Sequence, residues 1–256
     1  LYMLKVEPIN AYEDNYIWLV STNEGSIVID PGESKEIIKQ MDNNLIDLKG
    51  ILITHHHFDH TNGLSDLLNK KDLEVFGPKN NINGINKVVK EFDKFSIIGI
   101  HFEVIEIPGH TLDHLAFYSF NDGNPILFCG DTLFAGGCGR VFEGTFKQMF
   151  QSLKKIANYP KETKVYCGHE YTLANLKFAL EVDSNNKDLK NEYMSIEDLI
   201  SKNIPSLPTT MKKELKLNPF LRCNDIAIKN KIFEKFDIID NELEIFTALR
   251  KWKDDF

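Results

Sequence analysis

The chain has 256 residues, of which 42% are hydrophobic and 27% are charged, and its formal net charge is −8. These are ordinary values for a globular protein, and the length leaves room for a large domain and a smaller one. The acidic balance argues against a nucleic-acid partner, and no stretch approaches the roughly 20 apolar residues that a membrane span requires. We therefore expect a soluble protein that binds neither nucleic acid nor membrane.

Two kinds of pattern divide the chain. Residues 1–169 carry short apolar runs typical of strands and several helical stretches between them. The predicted strands are NYIWLV, GSIVID, GILIT, FEVIEIP, HLAFYSF, PILFCGD and KVYCG, and the predicted helices are SKEIIKQMDNNL, TNGLSDLLNK and TFKQMFQSLKKIANYP. From residue 170 the strand signals stop, and helical periodicity continues to the end of the chain in YTLANLKFALEVDS, SIEDLISKN, DIAIKNKIFEKF and NELEIFTALRKWK. The sequence predicts a layered α/β domain over residues 1–169 and a helical domain over residues 170–256.

The cysteines indicate the compartment. There are four, they are widely separated, and they form no CxxC motif: Cys129, Cys138, Cys167 and Cys223. Disulfides and a cysteine zinc cage are therefore not expected, and free thiols in a reducing cytoplasm fit best. The start of the chain shows no pattern of a secretion signal, so we expect a cytoplasmic protein.

The segment THHHFDH, residues 54–60, concentrates metal-binding residue types in one loop. It follows the predicted strand GILIT, and loops at the carboxyl ends of strands are the usual location of active sites in α/β proteins. In such a loop His55 and His57 point to one side, whereas Asp59 and His60 turn toward a second point. Imidazole nitrogen and carboxylate oxygen are favoured zinc ligands, so the loop predicts ligands for two adjacent ions. His56 points away and is interpreted as structural.

The segment THHHFDH does not by itself supply enough ligands for two metal ions. Further ligands are therefore expected at the ends of other strands. His110, Asp131 and His169 each follow a predicted strand, and a glycine directly precedes each of them. Glycine allows the sharp turn that directs the next side chain over the edge of the sheet. His101 and His114 lack this context and are interpreted as structural.

The motifs THHHFDH, PGHT, GDTLF and CGHEY resemble those of the metallo-β-lactamase superfamily. AYEDNYIWLV, FAGGCGRVFEGT, EYTLANLKFA and NPFLRC are similar to segments of its glyoxalase II family, the hydroxyacylglutathione hydrolases. The resemblance covers essentially the whole chain. It implies a four-layer αββα sandwich with a dinuclear metal site, followed by a smaller C-terminal α-helical domain.

The resemblance also implies roles for individual residues. His55, His57 and His110 would bind one metal ion, Asp59, His60 and His169 the other, and Asp131 would bridge both. Zinc is the expected metal, although iron and manganese remain open because the same ligands could hold them. A metal-bridging hydroxide, held by residues that include His55, His57, Asp59 and Asp131, would attack the thioester of S-D-lactoylglutathione. The products would be D-lactate and glutathione, in the second step of methylglyoxal detoxification.

A second group of residues is expected to bind the glutathione moiety. By resemblance these are Arg140, Phe142, Tyr171, Arg250 and Lys253. Some members of the family have lysine and tyrosine where this chain has arginine and phenylalanine, so a phenolic hydrogen bond at residue 142 is absent here. Helical periodicity places Arg250 and Lys253 on the inward side of the last helix. An alternative is that both pair with acidic neighbours such as Glu242 or Asp254.

Three other functions remain as alternatives. A persulfide dioxygenase with a single iron could share this fold, but the full ligand set for two metals argues against it. A nucleic-acid-processing hydrolase of the same fold is disfavoured by the acidic charge. A metal-binding protein without catalysis would leave the residues that match the glutathione site unexplained. We expect a monomer.

Overall fold

The computed structural model describes residues 4–121 and 123–256. The chain forms two compact units. The first contains the described residues up to Glu106 together with Asp113–Gly130, and the second contains Ile107–Leu112 and Asp131–Phe256. In the part of the chain that is described, no helix is long and apolar enough to cross a membrane.

A six-stranded sheet forms one layer of the first unit. Its strands run in the order β1-β2-β3-β4-β5-β6. They are β1 Lys5–Ala11, β2 Asn15–Thr22, β3 Gly25–Ile29, β4 Leu48–Leu52, β5 Glu74–Gly77 and β6 Lys87–Val88. The first three strands pair antiparallel and the rest pair parallel, so β3 and β4 point the same way. The loops that follow β3 and β4 therefore emerge at the same edge of the sheet, which brings distant segments together.

A second layer of the first unit is antiparallel. Its strands are β7 Lys94–Ile97, β8 Ile100–Glu106, β9 Leu115–Asn121 and β10 Asn124–Gly130. They pair in chain order. The two sheets pack face to face, since the rings of Phe76 and Phe95 stack with centroids 4.0 Å apart. A side chain at Gly50 would place its Cβ 2.7 Å from the Glu74 carbonyl oxygen of β5 and 2.5 Å from Ile97 Cδ1 of the facing sheet, so glycine fits there without a shift of its neighbours.

The helices of the first unit are short: α1 Lys35–Asp42, α2 Phe58–Thr61 and α3 Leu64–Lys70. Of these, α1 and α3 pack on one face of the first sheet. Ile37 of α1 and Leu67 of α3 pack with Val28 and Ile51 of the sheet in one buried apolar cluster. The apolar residues of these helices lie on one side, so their burial against the sheet fixes the helices in place.

The second unit is mainly helical. Its helices are α4 Phe146–Ala157, α5 Thr172–Val182, α6 Lys187–Ser201, α7 Met211–Leu217, α8 Ile226–Lys235 and α9 Glu242–Asp254, with a 3-10 turn at Pro219–Leu221. Its short strands are β11 Leu133–Phe134, β12 Gly137–Cys138, β13 Lys164–Cys167 and β14 Thr209–Thr210. Thr145 begins α4 with a capping box to Gln148, and the Asn241 side chain caps α9. These caps satisfy backbone N–H groups that the helices cannot pair internally.

Two apolar clusters stabilise the helices of this unit. Leu176 of α5, Leu189 and Ile196 of α6, and Leu217 of α7 form one buried cluster. Aromatic rings form the other, with Phe220 against Phe246 at 5.9 Å and Phe178 against Trp252 at 5.3 Å. The helices are thus held by packing among themselves.

The structure departs from the sequence-based prediction in the shorter strands. Strand signals were expected to stop at residue 170, but Thr209–Thr210 pairs with Lys164 and Val165 of β13. A two-residue strand is too short to show the alternation from which strands are predicted. The prediction also omitted β5 and β7, each of four residues. The longer predicted strands and helices are present, and all four cysteines are buried free thiols.

Candidate metal centre

The histidine-rich loop of the first unit follows β4 and leads into α2. His55 and His60 are buried, whereas His57 and Asp59 are half-buried. The imidazole rings lie close together, with centroids 4.7 Å apart for His55 and His57 and 4.3 Å for His55 and His60. Buried polar rings gathered in this way carry a desolvation cost that packing does not offset, which points to a ligand role.

Asp30 organises this loop, although the sequence analysis did not select it. It directly follows β3, is buried, and has a φ of 53°. Its Oδ1 accepts a hydrogen bond from the Thr54 backbone N–H at 2.7 Å, and its Oδ2 accepts from Thr54 Oγ1 at 2.6 Å. The same Oδ2 lies 3.0 Å from His60 Nδ1. A carboxylate in this position keeps the proton of His60 on Nδ1, so the Nε2 lone pair is the one presented to a metal.

The Thr54 hydroxyl group links Asp30 to His55 through two hydrogen bonds. Its hydroxyl proton is directed to Asp30, so its oxygen accepts from His55 Nδ1, 2.9 Å away. His114, interpreted from sequence as structural, is buried and stacks on His55 at 4.4 Å. Gly130 has a φ of 47°, and a Cβ there would lie 2.5 Å from Thr54 Oγ1. The stacked His114 ring limits how far the His55 ring can rotate, and the space beside Thr54 is open only because residue 130 is glycine.

Asn15 orients the acidic residue of the loop. Its Nδ2 donates to Asp59 Oδ2 at 2.8 Å. That oxygen lies 3.5 Å from His60 Nε2. Two ligands about 2.0–2.2 Å from one ion at a tetrahedral angle are about 3.3–3.6 Å apart, so the pair is spaced as a metal requires.

The second unit holds the other predicted ligands, His110, Asp131 and His169, all of them buried. Asp131 Oδ2 lies 3.5 Å from His110 Nε2 and 3.2 Å from His169 Nε2. One carboxylate oxygen is thus within ligand-to-ligand distance of two imidazoles. This spacing is consistent with a carboxylate that is shared between two metal sites.

The backbone around His110 fixes its orientation. His110 Nδ1 lies 2.8 Å from the Arg140 carbonyl oxygen, which can only accept, so Nδ1 carries the proton and Nε2 faces Asp131. A Cβ at Gly139 would lie 1.9 Å from the Asp131 carbonyl oxygen, so the chain passes there only because residue 139 is glycine. Arg140 therefore acts at this point through its backbone, which its side-chain type does not reveal.

Aromatic rings lie beside the predicted ligands His110 and His169 of the second unit. Tyr171 stacks on His169 with centroids 4.7 Å apart and 7° between the planes. Phe134, a residue that the sequence analysis did not select, packs edge-on against both rings. Phe142 packs edge-on against His110 at 5.3 Å. Tyr171 is 36% exposed and Phe142 is 62% exposed, so apolar surface is available to a ligand beside these two histidines.

The last helix orients its basic residues as the periodicity predicted. Arg250 is only 2% exposed, Lys253 is half-buried, and Lys251 is exposed. Arg250 Nη1 donates to the Cys138 carbonyl oxygen at 2.6 Å, and its Nη2 donates to Asp254 Oδ1 at 2.9 Å. The pairing with Asp254 is the alternative that the sequence left open. Burial lowers the pKa of Lys253, and the nearby Arg250 guanidinium lowers it further.

The remaining histidines interpreted as structural have other partners. His56 Nδ1 lies 2.9 Å from Asp113 Oδ1, and Asn80 donates to the other oxygen of that carboxylate. His101 Nδ1 lies 2.5 Å from Ser96 Oγ. The structural roles interpreted for His56 and His101 stay predictions.

Comparison with known proteins gives consistent matches along the chain. The family model described as Metallo-beta-lactamase superfamily matches residues 13–169, and the one described as Hydroxyacylglutathione hydrolase C-terminus matches residues 170–256. A hydroxyacylglutathione hydrolase of Photobacterium profundum is 45% identical over 258 residues, covering 99% of this chain and 100% of the relative.

Solved structures share the fold. ETHE1 from Myxococcus xanthus has a TM-score of 0.64 and 22% identity, with 98% of each chain covered. TTHA1623, crystallised in a di-iron-bound form, has a TM-score of 0.60 and 25% identity, covering 84% of this chain and 100% of that chain.

These matches confirm the predicted fold class, an αββα metallo-β-lactamase sandwich with a C-terminal helical domain. The domain boundary after residue 169 stays a prediction, because the compact units divide the chain elsewhere. Membership of the superfamily and the His/Asp clusters together support a divalent metal site. On the two family models and the full-length identity, the chain belongs to the hydroxyacylglutathione hydrolase (glyoxalase II) family of the metallo-β-lactamase superfamily.

Proposed function

We propose that this enzyme hydrolyses S-D-lactoylglutathione to D-lactate and glutathione at a site with two divalent metal ions. The relatives that match along their whole length carry the name hydroxyacylglutathione hydrolase, and an enzyme of this type is a thioester hydrolase. The observation that carries the proposal is the position of Asp131 Oδ2, within 3.5 Å of ligand nitrogens on both His110 and His169.

The proposal gives each ligand the role that the family resemblance implies. One ion is held by His55, His57 and His110, the other by Asp59, His60 and His169, and Asp131 is shared. The spacing of ligand atoms within each compact unit supports these roles. In the first unit the His60 and Asp59 ligand atoms are 3.5 Å apart, and in the second unit Asp131 has the spacing described above.

When bound, two divalent ions supply an activated water as nucleophile and stabilise negative charge on the substrate carbonyl oxygen. The residues of the chain prepare the site for these ions. Asp30 keeps the His60 proton on Nδ1, and the Arg140 carbonyl does the same for His110. Ligand nitrogens are thereby kept in the deprotonated form that a metal binds, without a change of tautomer.

Substrate binding is proposed for the residues selected from the sequence. Tyr171 and Phe142 offer exposed ring surface beside the histidine ligands, suited to the apolar part of a thioester. Arg140, Arg250 and Lys253 offer positive charge for the carboxylates of glutathione. Because Arg250 is buried and already bonded to Cys138, we assign Arg140 and Lys253 the more direct contacts.

Zinc is our proposed metal, with iron and manganese as alternatives. Imidazole and carboxylate ligands suit all three, so the donor set by itself does not select one of them. The di-iron-bound form of TTHA1623 shows that a protein of related fold can hold two iron ions. Metal analysis of protein purified without added metal addresses this choice.

No separate observation favours the alternative of a persulfide dioxygenase with a single iron. The likeness to ETHE1, at 22% identity, concerns the fold alone. The match of residues 170–256 to the hydroxyacylglutathione hydrolase C-terminus favours thioester hydrolysis.

We further propose that the enzyme acts as a monomer in the cytoplasm. The four cysteines are buried free thiols, a state that a reducing compartment maintains. Sedimentation analysis and fractionation of cells test the two statements separately.

The test of the main proposal is hydrolysis of S-D-lactoylglutathione by metal-loaded protein, followed by loss of the ultraviolet absorbance of the thioester. Turnover should disappear when a chelator removes the metals and return when zinc is restored. Absence of turnover by protein that contains two metal ions per chain would contradict the proposed function.

A further inference from the structure

Two guanidinium groups of the second unit share one carboxylate, and a third cation, Lys253, lies near them. Asp254 Oδ1 accepts a hydrogen bond from Arg250 Nη2 at 2.9 Å and lies 3.6 Å from Arg140 Nε. Lys253, next in the chain to Asp254, is half-buried. The low pKa of Lys253 arises first from burial and then from nearby charges that include the guanidinium groups of Arg250 and Arg140. The group therefore has three positive charges and only one negative charge.

One buried polar atom of this group, Arg250 Nε, has no hydrogen-bond partner among the described residues. Among the residues that the structure describes, no carboxylate lies within ion-pair distance of the Lys253 ammonium. This ammonium lies 5.7 Å from the centre of the Phe178 ring. Cations removed from water are costly unless an anion accompanies them. The group thus favours the arrival of a second carboxylate.

We propose that Asp254 is a built-in carboxylate that competes with the carboxylate of the ligand for Arg140, and thereby weakens the affinity for glutathione thioesters. The proposal rests on the function proposed above. Arg140 is the partner that a ligand can take over, because its side chain is 60% exposed and its contact with Asp254 is long. An exposed ion pair of this kind contributes little stability, so exchanging it is inexpensive.

Arg250 is expected to keep its partners during this exchange. Its guanidinium is held by the Cys138 carbonyl and by Asp254, and it lies 5.2 Å from the centre of the Phe220 ring. The fixed Arg250–Asp254 pair then leaves the negative charge of Asp254 in place when the ligand arrives. The ligand carboxylate is repelled by that charge at short range.

The glycine end of glutathione is the carboxylate that we assign to this group. The other carboxylate, on the γ-glutamyl end, stands beside an ammonium group on the same carbon. Its attraction to a cluster of cations is therefore partly cancelled, whereas the glycine carboxylate carries an uncompensated charge.

The experiment measures binding of S-methylglutathione, a thioether that cannot be hydrolysed, by titration calorimetry on metal-loaded protein. Asp254→Asn should bind it about 5-fold more tightly, which corresponds to about 1 kcal/mol of repulsion removed. Asp255→Asn is the matched control. It removes one charge from the next residue, which is exposed, and should leave the dissociation constant unchanged.

A second ligand tests the contact itself. The ethyl ester of S-methylglutathione at its glycine carboxylate lacks the competing charge, so Asp254→Asn should bring no gain for it. Asp254→Ala should show the same pattern. A gain of equal size with the ester, or binding by both variants that is no tighter than that of the wild type, would overturn the inference.

Hydrolysis separates this inference from the proposed function. If wild-type protein hydrolyses S-D-lactoylglutathione, Asp254→Asn should lower KM by about the same factor of 5 with kcat unchanged. Hydrolysis by the wild type with an unaltered KM in the variant would overturn the inference alone. Absence of hydrolysis by the wild type would overturn the proposed function and the inference together.

Discussion

Replacing Asp30 by asparagine should lower metal affinity although Asp30 is not proposed as a ligand. The carboxylate accepts three hydrogen bonds, from the Thr54 N–H, the Thr54 hydroxyl and His60 Nδ1. Asparagine has one oxygen and one NH₂ group, so it can keep the bond from the Thr54 N–H but presents donors to the other two groups. His60 would then place its proton on Nε2, where the metal should bind.

The substitution should change both metal affinity and stability, and each change has an expected size. Removing a partner that orients a metal-bound histidine typically weakens metal binding by about 10- to 100-fold, or about 1.4 to 2.7 kcal/mol. Hydrogen bonds to charged groups contribute about 1.5 to 3 kcal/mol each. Exchanging two buried bonds to a carboxylate for bonds to a neutral amide should therefore destabilise the metal-free protein by about 2 kcal/mol.

The assay is competition for zinc between the variant and a chromophoric chelator, with metal content measured by mass spectrometry. Asp113→Asn is the control, since Asp113 pairs with His56, which is not a proposed ligand. That variant should retain metal affinity. Wild-type affinity in Asp30→Asn, or an equal loss in both variants, would refute the argument that Asp30 acts by setting the tautomer of His60.

Three further outcomes are expected. Asp131→Asn should lower kcat by at least about 100-fold and reduce bound metal, because it removes charge next to two imidazole ligands, whereas His56→Ala should retain both metals. Replacing Arg250 and Lys253 together by alanine should raise KM for S-D-lactoylglutathione by roughly 10-fold with little change in kcat, as judged by steady-state kinetics. Burial raises the pKa of Glu214, so the contribution of Glu214 to the unfolding free energy should be fully present below the ordinary pKa of a glutamate and be lost as pH rises through the raised pKa. Glu214→Gln should flatten this part of the profile in denaturant titrations of the metal-free protein.

Contrary results would be informative in each case. Near-normal rate and two metals per chain in Asp131→Asn would mean that the shared ligand is misassigned. Loss of thermal stability in the double variant without any rise in KM would mean that Arg250 and Lys253 serve only the packing of α9. A pH profile unaffected by Glu214→Gln would mean that other groups set the pH dependence of stability.

Local sequence patterns were sufficient to select most candidate site residues and to orient the last helix. A strand followed by glycine and then by histidine or aspartate selected His110, Asp131 and His169, because a turn at a strand end directs the next side chain over the sheet edge. Helical periodicity placed Arg250 inward and Lys251 outward, since each residue advances by a fixed angle around the helix. Short strands such as Thr209–Thr210 were missed, because two residues carry no periodic signal.

The tertiary structure decided which atoms prepare the ligands. Asp30 lies 30 positions before His60, and Arg140 lies 30 positions after His110, so no local pattern connects the members of either pair. Arg140 contributes a backbone carbonyl, a group that every residue possesses and that residue type therefore cannot reveal. Asp254 is adjacent to Lys253 in sequence, whereas its contact with Arg140 is a tertiary contact that only the folded structure reveals. Residue types and spacing are local properties, whereas hydrogen-bond partners depend on the distances that folding creates.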